Sequence, residues 1–209
     1  MDNQQPSAAT TDFDSFEQIW AFTQDLLLTG VEFAPDPCHT PVLGTIAPTG
    51  CALRTVVLRR FMPKQRLLIC HSDSRSPKVA QLQQNPQASW LFYHPAQRIQ
   101  LRITGHTTCH TNDALADEQW QNSALSSRRC YSAEVAPSQI TTEPTSGLPD
   151  FLENRIPTAE ESEAGRQNFL VIATRIDSLD WLFLRAKGHR RALFTWQADN
   201  RFIADWVAP

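Results

Sequence analysis

The stretch VLGTIAPTGCALRTVVLRRF (residues 42–61) decides the fold class. Its aliphatic and β-branched residues have the spacing of strands, and Pro48-Thr49-Gly50 supplies turn chemistry between VLGTIA and CALRTVVLRRF. The stretch therefore reads as a β-hairpin. Strands follow it outward to the end of the chain.

Downstream, QRLLICHS (65–72) reads as a third strand, and SPKVAQLQQN (76–85) as a short helix ending before Pro86. ASWLFYH (88–94) and RIQLRITGHTTCH (98–110) form a second hairpin around Pro95-Ala96-Gln97. NDALADEQWQNSAL (112–125) reads as a helix, and TAEESEA (158–164) carries a capping-box pattern from Thr158 to Glu161. Three last strands follow: NFLVIATRIDSLDWLFL (168–184), RRALFTW (190–196) and RFIADWVA (201–208). Upstream, FDSFEQIWAFTQDLLLTG (13–30) has Phe16, Ile19, Trp20 and Leu27 at helical steps, with Asp14 or Ser15 to cap it and Gly30 to stop it.

Many consecutive strands, short turns and few helices point to an antiparallel barrel rather than a βαβ sheet. The expected class is mainly β with α (α+β). With 209 residues, one domain over 1–209 is expected. Residues 1–12 are expected to be disordered, and the Pro-, Ser- and Thr-rich segment 132–158 to be an irregular excursion.

Composition narrows the function. A formal net charge of −3 gives no global field for nucleic acid or an acidic membrane, so any bound anion needs a local site. The polar N-terminus has no apolar core of a signal peptide, and no apolar run reaches the ~18 residues of a membrane span. Five scattered cysteines without a CxxC suit reduced thiols and a cytoplasmic location. Seven glycines, no GxSxG, no Walker A loop and no GxGxxG set aside several common chemistries. The dipeptides Cys38-His39, Cys70-His71 and Cys109-His110 lack metal-ligand spacing, so no metal is expected.

Three segments are polar where strands would be apolar. Arg54 and Arg59 bracket the core of LRTVVLRR. HSDSRSPK (71–78) collects hydroxyls, Arg75 and Lys78 at a strand-to-helix turn, a suitable cradle for a phosphate monoester. In RIQLRI, Gln100 and Arg102 share one face, and an amide can both donate to and accept from a heterocycle edge. Each has an ordinary reading too: Ser74 or Ser76 as a helix cap, the arginines as solvated edge charges, Gln100 as an outward polar residue.

In the order RTVVLR (54–59), SDSRSPKVAQLQQNPQASWLFY (72–93) and RIQLRITG (98–105), these segments resemble the pyridoxamine 5'-phosphate oxidase-like family of split-barrel flavoproteins. WLFLRAKGHRRALFTW and the ending DWVAP fit the family's last strands more loosely. The resemblance implies a homodimer with FMN in the subunit interface, acting on a small-molecule substrate. It implies cofactor contacts from Arg54, Thr55, Val56, Val57, Leu58 and Arg59, then His71 and Ser72. Arg75, Ser76 and Lys78 would hold the phosphate and Gln100 would reach the ring. Trp181 and Arg191 would come from the second subunit. Three departures stand out. Pro77 replaces an arginine beside the phosphate lysine. The family's substrate helix reads Trp120, Ala124 and Arg128, leaving Trp120 and Arg128 as substrate contacts. Leu193 stands where a flavin-binding arginine is usual. The leading expectation is an FMN-dependent oxidoreductase. The alternatives are a non-catalytic flavin-binding or sensing module, or a barrel holding another flavin-like cofactor or haem.

Overall fold

The computed structural model describes residues 13–209; the disorder expected for 1–12 falls outside them. Among the described residues the strands are β1 Val42–Ala47, β2 Gly50–Thr55, β3 Arg60–Met62, β4 Leu67–Asp73, β5 Gln87–His94, β6 Ile99–His110, β7 Phe169–Phe183, β8 Arg190–Trp196 and β9 Phe202–Val207. The helices are α1 Phe16–Glu32, α2 Pro77–Gln84, α3 Ala114–Gln121, α4 Leu125–Arg128 and α5 Ala159–Ser162. None is long and apolar enough to cross a membrane.

All strand pairs are antiparallel, and the sheet runs β2-β1-β5-β6-β7 before it divides. One edge of β7 pairs with β6. Its other edge pairs with β4 over residues 169–175 and with β8 over 178–183. β3 extends the first arm and β9 the second, so the barrel is split rather than closed. The mainly β class with peripheral helices is thus the observed one.

The division has a local cause. Thr104 pairs with Ser178 and Gly105 with Ile176, which leaves Asp177 unpaired and kinks β7 between its two partners. Gly105 is required at this point. A Cβ there would lie 2.0 Å from the Arg175 carbonyl oxygen, so only a bare backbone fits.

Alternation along the strands sends Leu43, Trp90, Phe92, Leu101, Ile103, Leu179, Trp181 and Phe194 into the core, each at most 1% exposed. Each such side chain contributes roughly 1.5–3 kcal/mol through burial. α1 closes one end of the barrel with Ile19, Leu26 and Leu27. Ser15 caps it, accepting from Gln18 N–H at 3.2 Å. Gly30 does not stop this helix, which continues to Glu32. Its missing side chain instead admits the Pro37–His39 turn, whose Cys38 would be 2.7–2.9 Å from any Cβ. The helix expected over 112–125 is likewise two pieces: α3, capped by Asp113, and the single turn α4. The Thr158–Glu161 capping box forms as read.

Candidate phosphate and flavin site

The turn between β4 and α2 carries the polar cluster. Ser76 occupies the N-cap position of α2, yet its hydroxyl makes no bond to the helix backbone. Lys78 Nζ donates to Ser76 Oγ at 2.7 Å and to Ser72 Oγ at 3.0 Å. Both serines are buried, at 6% and 5% exposure. Burial, and then the nearby Arg54 charge, push the Lys78 pKa below its usual value.

Arg54 completes the cluster from β2. It donates to Thr45 Oγ1 at 2.6 Å, to the Leu43 carbonyl at 3.3 Å and to Gln81 Oε1 at 3.4 Å. Burial lowers its pKa as well. Among the described residues neither cation hydrogen-bonds a carboxylate, although Asp73 lies close enough to Lys78 to raise its pKa. Asp73, the acid at this turn, is taken by Arg75 through Nε–Oδ1 and Nη2–Oδ2 contacts of 3.0 and 2.7 Å. Two partly desolvated cations bonded to hydroxyls, an amide and a carbonyl have donor chemistry that a dianion could accept from.

Thr45 and Gln81 were not among the expected site residues, although the sequence held a signal for Thr45. The Pro48–Thr49 turn sets the register that pairs Arg54 with Leu43, and the long arginine reaches the diagonal neighbour on that face.

The expected strand 51–61 does not persist through RTVVLR. β2 ends at Thr55, and residues 56–59 follow an irregular path pinned by three backbone bonds. Val56, Leu58 and Arg59 donate to the carbonyls of Pro41, His39 and Ile69 at 3.0, 2.8 and 2.8 Å. Those bonds replace a strand ladder, which is why the β-rich sequence is not a strand here. Leu58 is a core residue, while Val56 and Val57 stay half-buried. Arg59 is exposed, and its guanidinium makes no hydrogen bond or ion pair among the described residues.

His71 lies between two cavities. One, of about 440 Å³, is lined by Arg59, Arg60, His71, Gln119, Asn122 and Ser127. The other, of about 520 Å³, has His71, Ser72, Asp73 and Lys78 on one side and residues of 130–147 on the other. Burial drives the His71 pKa down to about 4, so its imidazole is neutral at pH 7. Its Nε2 lies 3.2 Å from Gln119 Oε1.

Other expected contacts are placed elsewhere. Gln100 and Arg191 share a cross-strand row, Tyr93–Gln100–Leu182–Arg191–Val207, on the outer face of the sheet. Thr45 lies on the core side, so one chain does not unite Gln100 with the Lys78 cluster. Arg191 pairs with Asp180 at 2.8 Å. Arg75 turns to Asp73 and to the Ala133 carbonyl, 2.8 Å away.

Trp181, expected to reach the partner's flavin, is 0% exposed within this chain and packs edge-on against Phe13 at 5.0 Å. Trp120 and Arg128, expected as substrate contacts, face into the α3–α4–α5 packing. Both are buried, the guanidinium stacks 4.7 Å above the indole, and both bond Glu163 Oε1, at 3.0 and 3.1 Å. Their polar atoms are spent on the α3–α4–α5 packing. Asn122 and Ser127 of the same region line the 440 Å³ cavity instead.

Residues 25–111 match the family model of the pyridoxamine 5'-phosphate oxidase FMN-binding domain. The fold resembles that of a pyridoxamine 5'-phosphate oxidase-related, FMN binding protein from Nostoc punctiforme PCC 73102, with TM-score 0.68 and 23% identity over 90% of this chain and 96% of that one. It also resembles PhzG from Burkholderia lata 383, crystallised with tetrahydrophenazine-1-carboxylic acid, with TM-score 0.68 and 15% identity over 91% and 92%. A Clostridium acetobutylicum protein related to general stress protein 26 aligns at TM-score 0.53 and 10% identity, over 88% and 96%. At these identities the likeness establishes the fold alone. No curated protein matches the sequence.

Proposed function

We propose that this chain, whose residues 25–111 match the pyridoxamine 5'-phosphate oxidase FMN-binding domain, is a split-barrel FMN-dependent oxidoreductase that works as a homodimer. One observation carries the reading: Lys78 and Arg54 are partly desolvated, repel one another and have hydroxyl, amide and carbonyl partners but, among the described residues, no hydrogen-bonded carboxylate. A phosphate monoester fits that donor set, because its dianion accepts from both cations and both serines. FMN, when bound, supplies the redox chemistry, taking a hydride from substrate and passing electrons to dioxygen or another acceptor.

The chain's residues then have separable tasks. Lys78, Ser72, Ser76 and Arg54 hold the phosphate. The half-buried 55–57 segment offers apolar surface to the ring, and neutral His71 offers it a donor or an acceptor without added charge. Arg59, with no partner of its own, faces the 440 Å³ cavity and favours a substrate or reduced ring bearing negative charge there. Gln100 and Arg191 stand on the outer face with exposed Leu53, Leu91 and Leu193, a surface suited to a second copy. Across such an interface they would approach the partner's flavin.

The test begins with colour. Purified protein should absorb as a flavoprotein and release FMN on denaturation; a colourless protein that takes up no added FMN overturns the assignment. Anaerobic addition of pyridoxamine 5'-phosphate is the first substrate trial. With Trp120 and Arg128 committed to packing, a flavin that bleaches with a different amine or reduced ring acid, but not with that phosphate, fits this chain equally well. A bound flavin that no reductant of these classes bleaches points to a binding module without turnover.

A further inference from the structure

The cavity of about 440 Å³ that joins β3, His71 and α3 has a charge balance of its own. Its two arginines are neighbours: Arg59 ends the irregular 56–59 path and Arg60 begins β3. Arg60 Nη1 lies 2.7 Å from Glu118 Oε1, whereas Arg59 has no such partner among the described residues. The side chains of that pair are 36% and 48% exposed, so the contact adds little to stability. Its effect on the cavity is larger, because two arginines against one glutamate leave a single net positive charge there. Arg128 of nearby α4 bonds Glu163 instead, and His71 is neutral. The remaining polar lining is uncharged. Gln119 is 7% exposed, with Oε1 3.2 Å from His71 Nε2, and its amide nitrogen has no hydrogen-bond partner among the described residues. A buried amide donor calls for an acceptor, and an oxygen-bearing anion held by Arg59 would supply it.

We propose that this cavity receives the carboxylate of a monoanionic substrate, and that Glu118 sets that choice against a phosphate monoester. The inference rests on the oxidoreductase reading above in calling the ligand a substrate. The argument for charge is one of scaling. Attraction to the cavity grows in proportion to the ligand's charge, whereas the cost of drawing the ligand out of water grows more steeply, roughly as the square. One free guanidinium matches a carboxylate by a two-point contact, and amide and hydroxyl donors from Gln119, Asn122 and Ser127 complete it. A phosphate dianion needs a second free cation, and Glu118 holds Arg60. Glu118 also repels a dianion twice as strongly as a carboxylate at the same distance. Glu118 is accordingly a specificity residue that acts through Arg60 and through its own charge.

The experiment titrates the full-length protein, as purified, with benzoate and with phenyl phosphate at pH 8 by isothermal calorimetry. The two probes share a ring and differ in the charge of the head group. Each titration is repeated in Arg59→Gln, and only binding lost with Arg59 is assigned to this cavity, which separates it from phosphate held at Lys78. At that site the natural protein should bind benzoate about fivefold or more tighter than phenyl phosphate. Glu118→Gln frees Arg60. It should raise benzoate affinity about threefold and phenyl phosphate affinity about tenfold, since a dianion feels the removed charge twice over. Arg60→Gln leaves Glu118 unbalanced and should move the ratio the opposite way, so either variant decides if the other fails to fold. A natural protein that prefers phenyl phosphate at this site, or binds neither probe there, overturns the inference. So does a ratio unchanged in the variants. Benzoate binding that depends on Arg59 in a protein that takes up no FMN would keep the anion site and remove the oxidoreductase reading. A yellow protein that binds neither probe would do the reverse.

Discussion

Ser76 occupies the position of a helix cap, but its hydroxyl lies 2.7 Å from Lys78 Nζ and gives the helix nothing. The pair separates two roles that a sequence cannot. An ordinary N-cap serine costs about 1 kcal/mol of stability when replaced by alanine. Here Ser76→Ala should leave the unfolding midpoint nearly unchanged and weaken FMN binding. A capping-sized loss of stability with unaltered FMN affinity would return Ser76 to the helix.

Lys78→Ala should act more strongly and with a revealing sign. Losing a charge-assisted phosphate bond weakens FMN binding by ~1.5–3 kcal/mol, about 10- to 150-fold. The flavin-free protein should not be destabilised. Its lysine is partly desolvated beside Arg54, and removing it relieves that repulsion. Titration by fluorescence and thermal melting with and without FMN check both halves. A large stability loss without flavin, and no change in affinity, would assign Lys78 to the fold.

Gly105→Ala tests the hinge of the split barrel. The added Cβ would meet the Arg175 carbonyl at 2.0 Å, a backbone atom that cannot rotate away. The substitution should cost more than about 3 kcal/mol, read by chemical denaturation. A cost below 1 kcal/mol, by the same measure, would mean that β6 and β7 adjust freely at the register shift.

Much of this architecture was legible because it depends on local pattern. The hairpin at Pro48–Thr49, the β5–β6 hairpin and the α2 start each declare themselves through turn residues and period. The proposed site is partly legible for the same reason: Ser72, Ser76 and Lys78 fall within one turn. What failed depends on distant partners. The run RTVVLR has strand composition, but His39, Pro41 and Ile69 take its amides. The family resemblance implies substrate contacts at Trp120 and Arg128, whereas Glu163, 43 and 35 residues away, draws them into packing. Trp181 reads as an aromatic near the chain's end, and only Phe13 and Phe183 show that it is core.

Arg128→Ala should therefore behave as a stability variant. The guanidinium bonds Ser123 O, Gln121 O, Ser162 Oγ and Glu163 Oε1 and stacks on Trp120. Its loss should cost roughly 2–4 kcal/mol, while folded protein keeps its FMN affinity. Melting curves paired with titration at low temperature distinguish this from a ligand role, which would show lost binding at full stability.

His71 gives a pH dependence whose sign follows from burial. Its folded pKa of about 4 lies below the usual 6.5, so between these values the unfolded chain takes up a proton that the folded chain refuses. The stability it contributes is complete above pH 6.5 and is lost as pH falls toward 4, on the order of 3 kcal/mol at most. His71→Gln should flatten the fall in denaturation free energy between pH 7 and 4.5. Parallel profiles for the two proteins would show that His71 is protonated in the folded state.

The outer face decides the assembly. Val42, Leu91, Arg102, Asp180 and Leu193 align across five strands, and Gly44 pairs with Leu53 one row away. Leu53 is 68% and Leu193 39% exposed, around a shallow cavity of about 420 Å³. Asp180 is held by both Arg102 and Arg191, so the charges on this face already satisfy one another and permit its burial against an apolar partner. Gln100 and Arg191 stand in the adjoining row, which makes the interface part of the proposed flavin site. Leu53→Asp should therefore halve the mass seen by sedimentation and lower flavin retention in the same sample, because an unpaired carboxylate cannot be buried there. A natural protein that sediments as a monomer while retaining FMN would separate the cofactor site from any dimer.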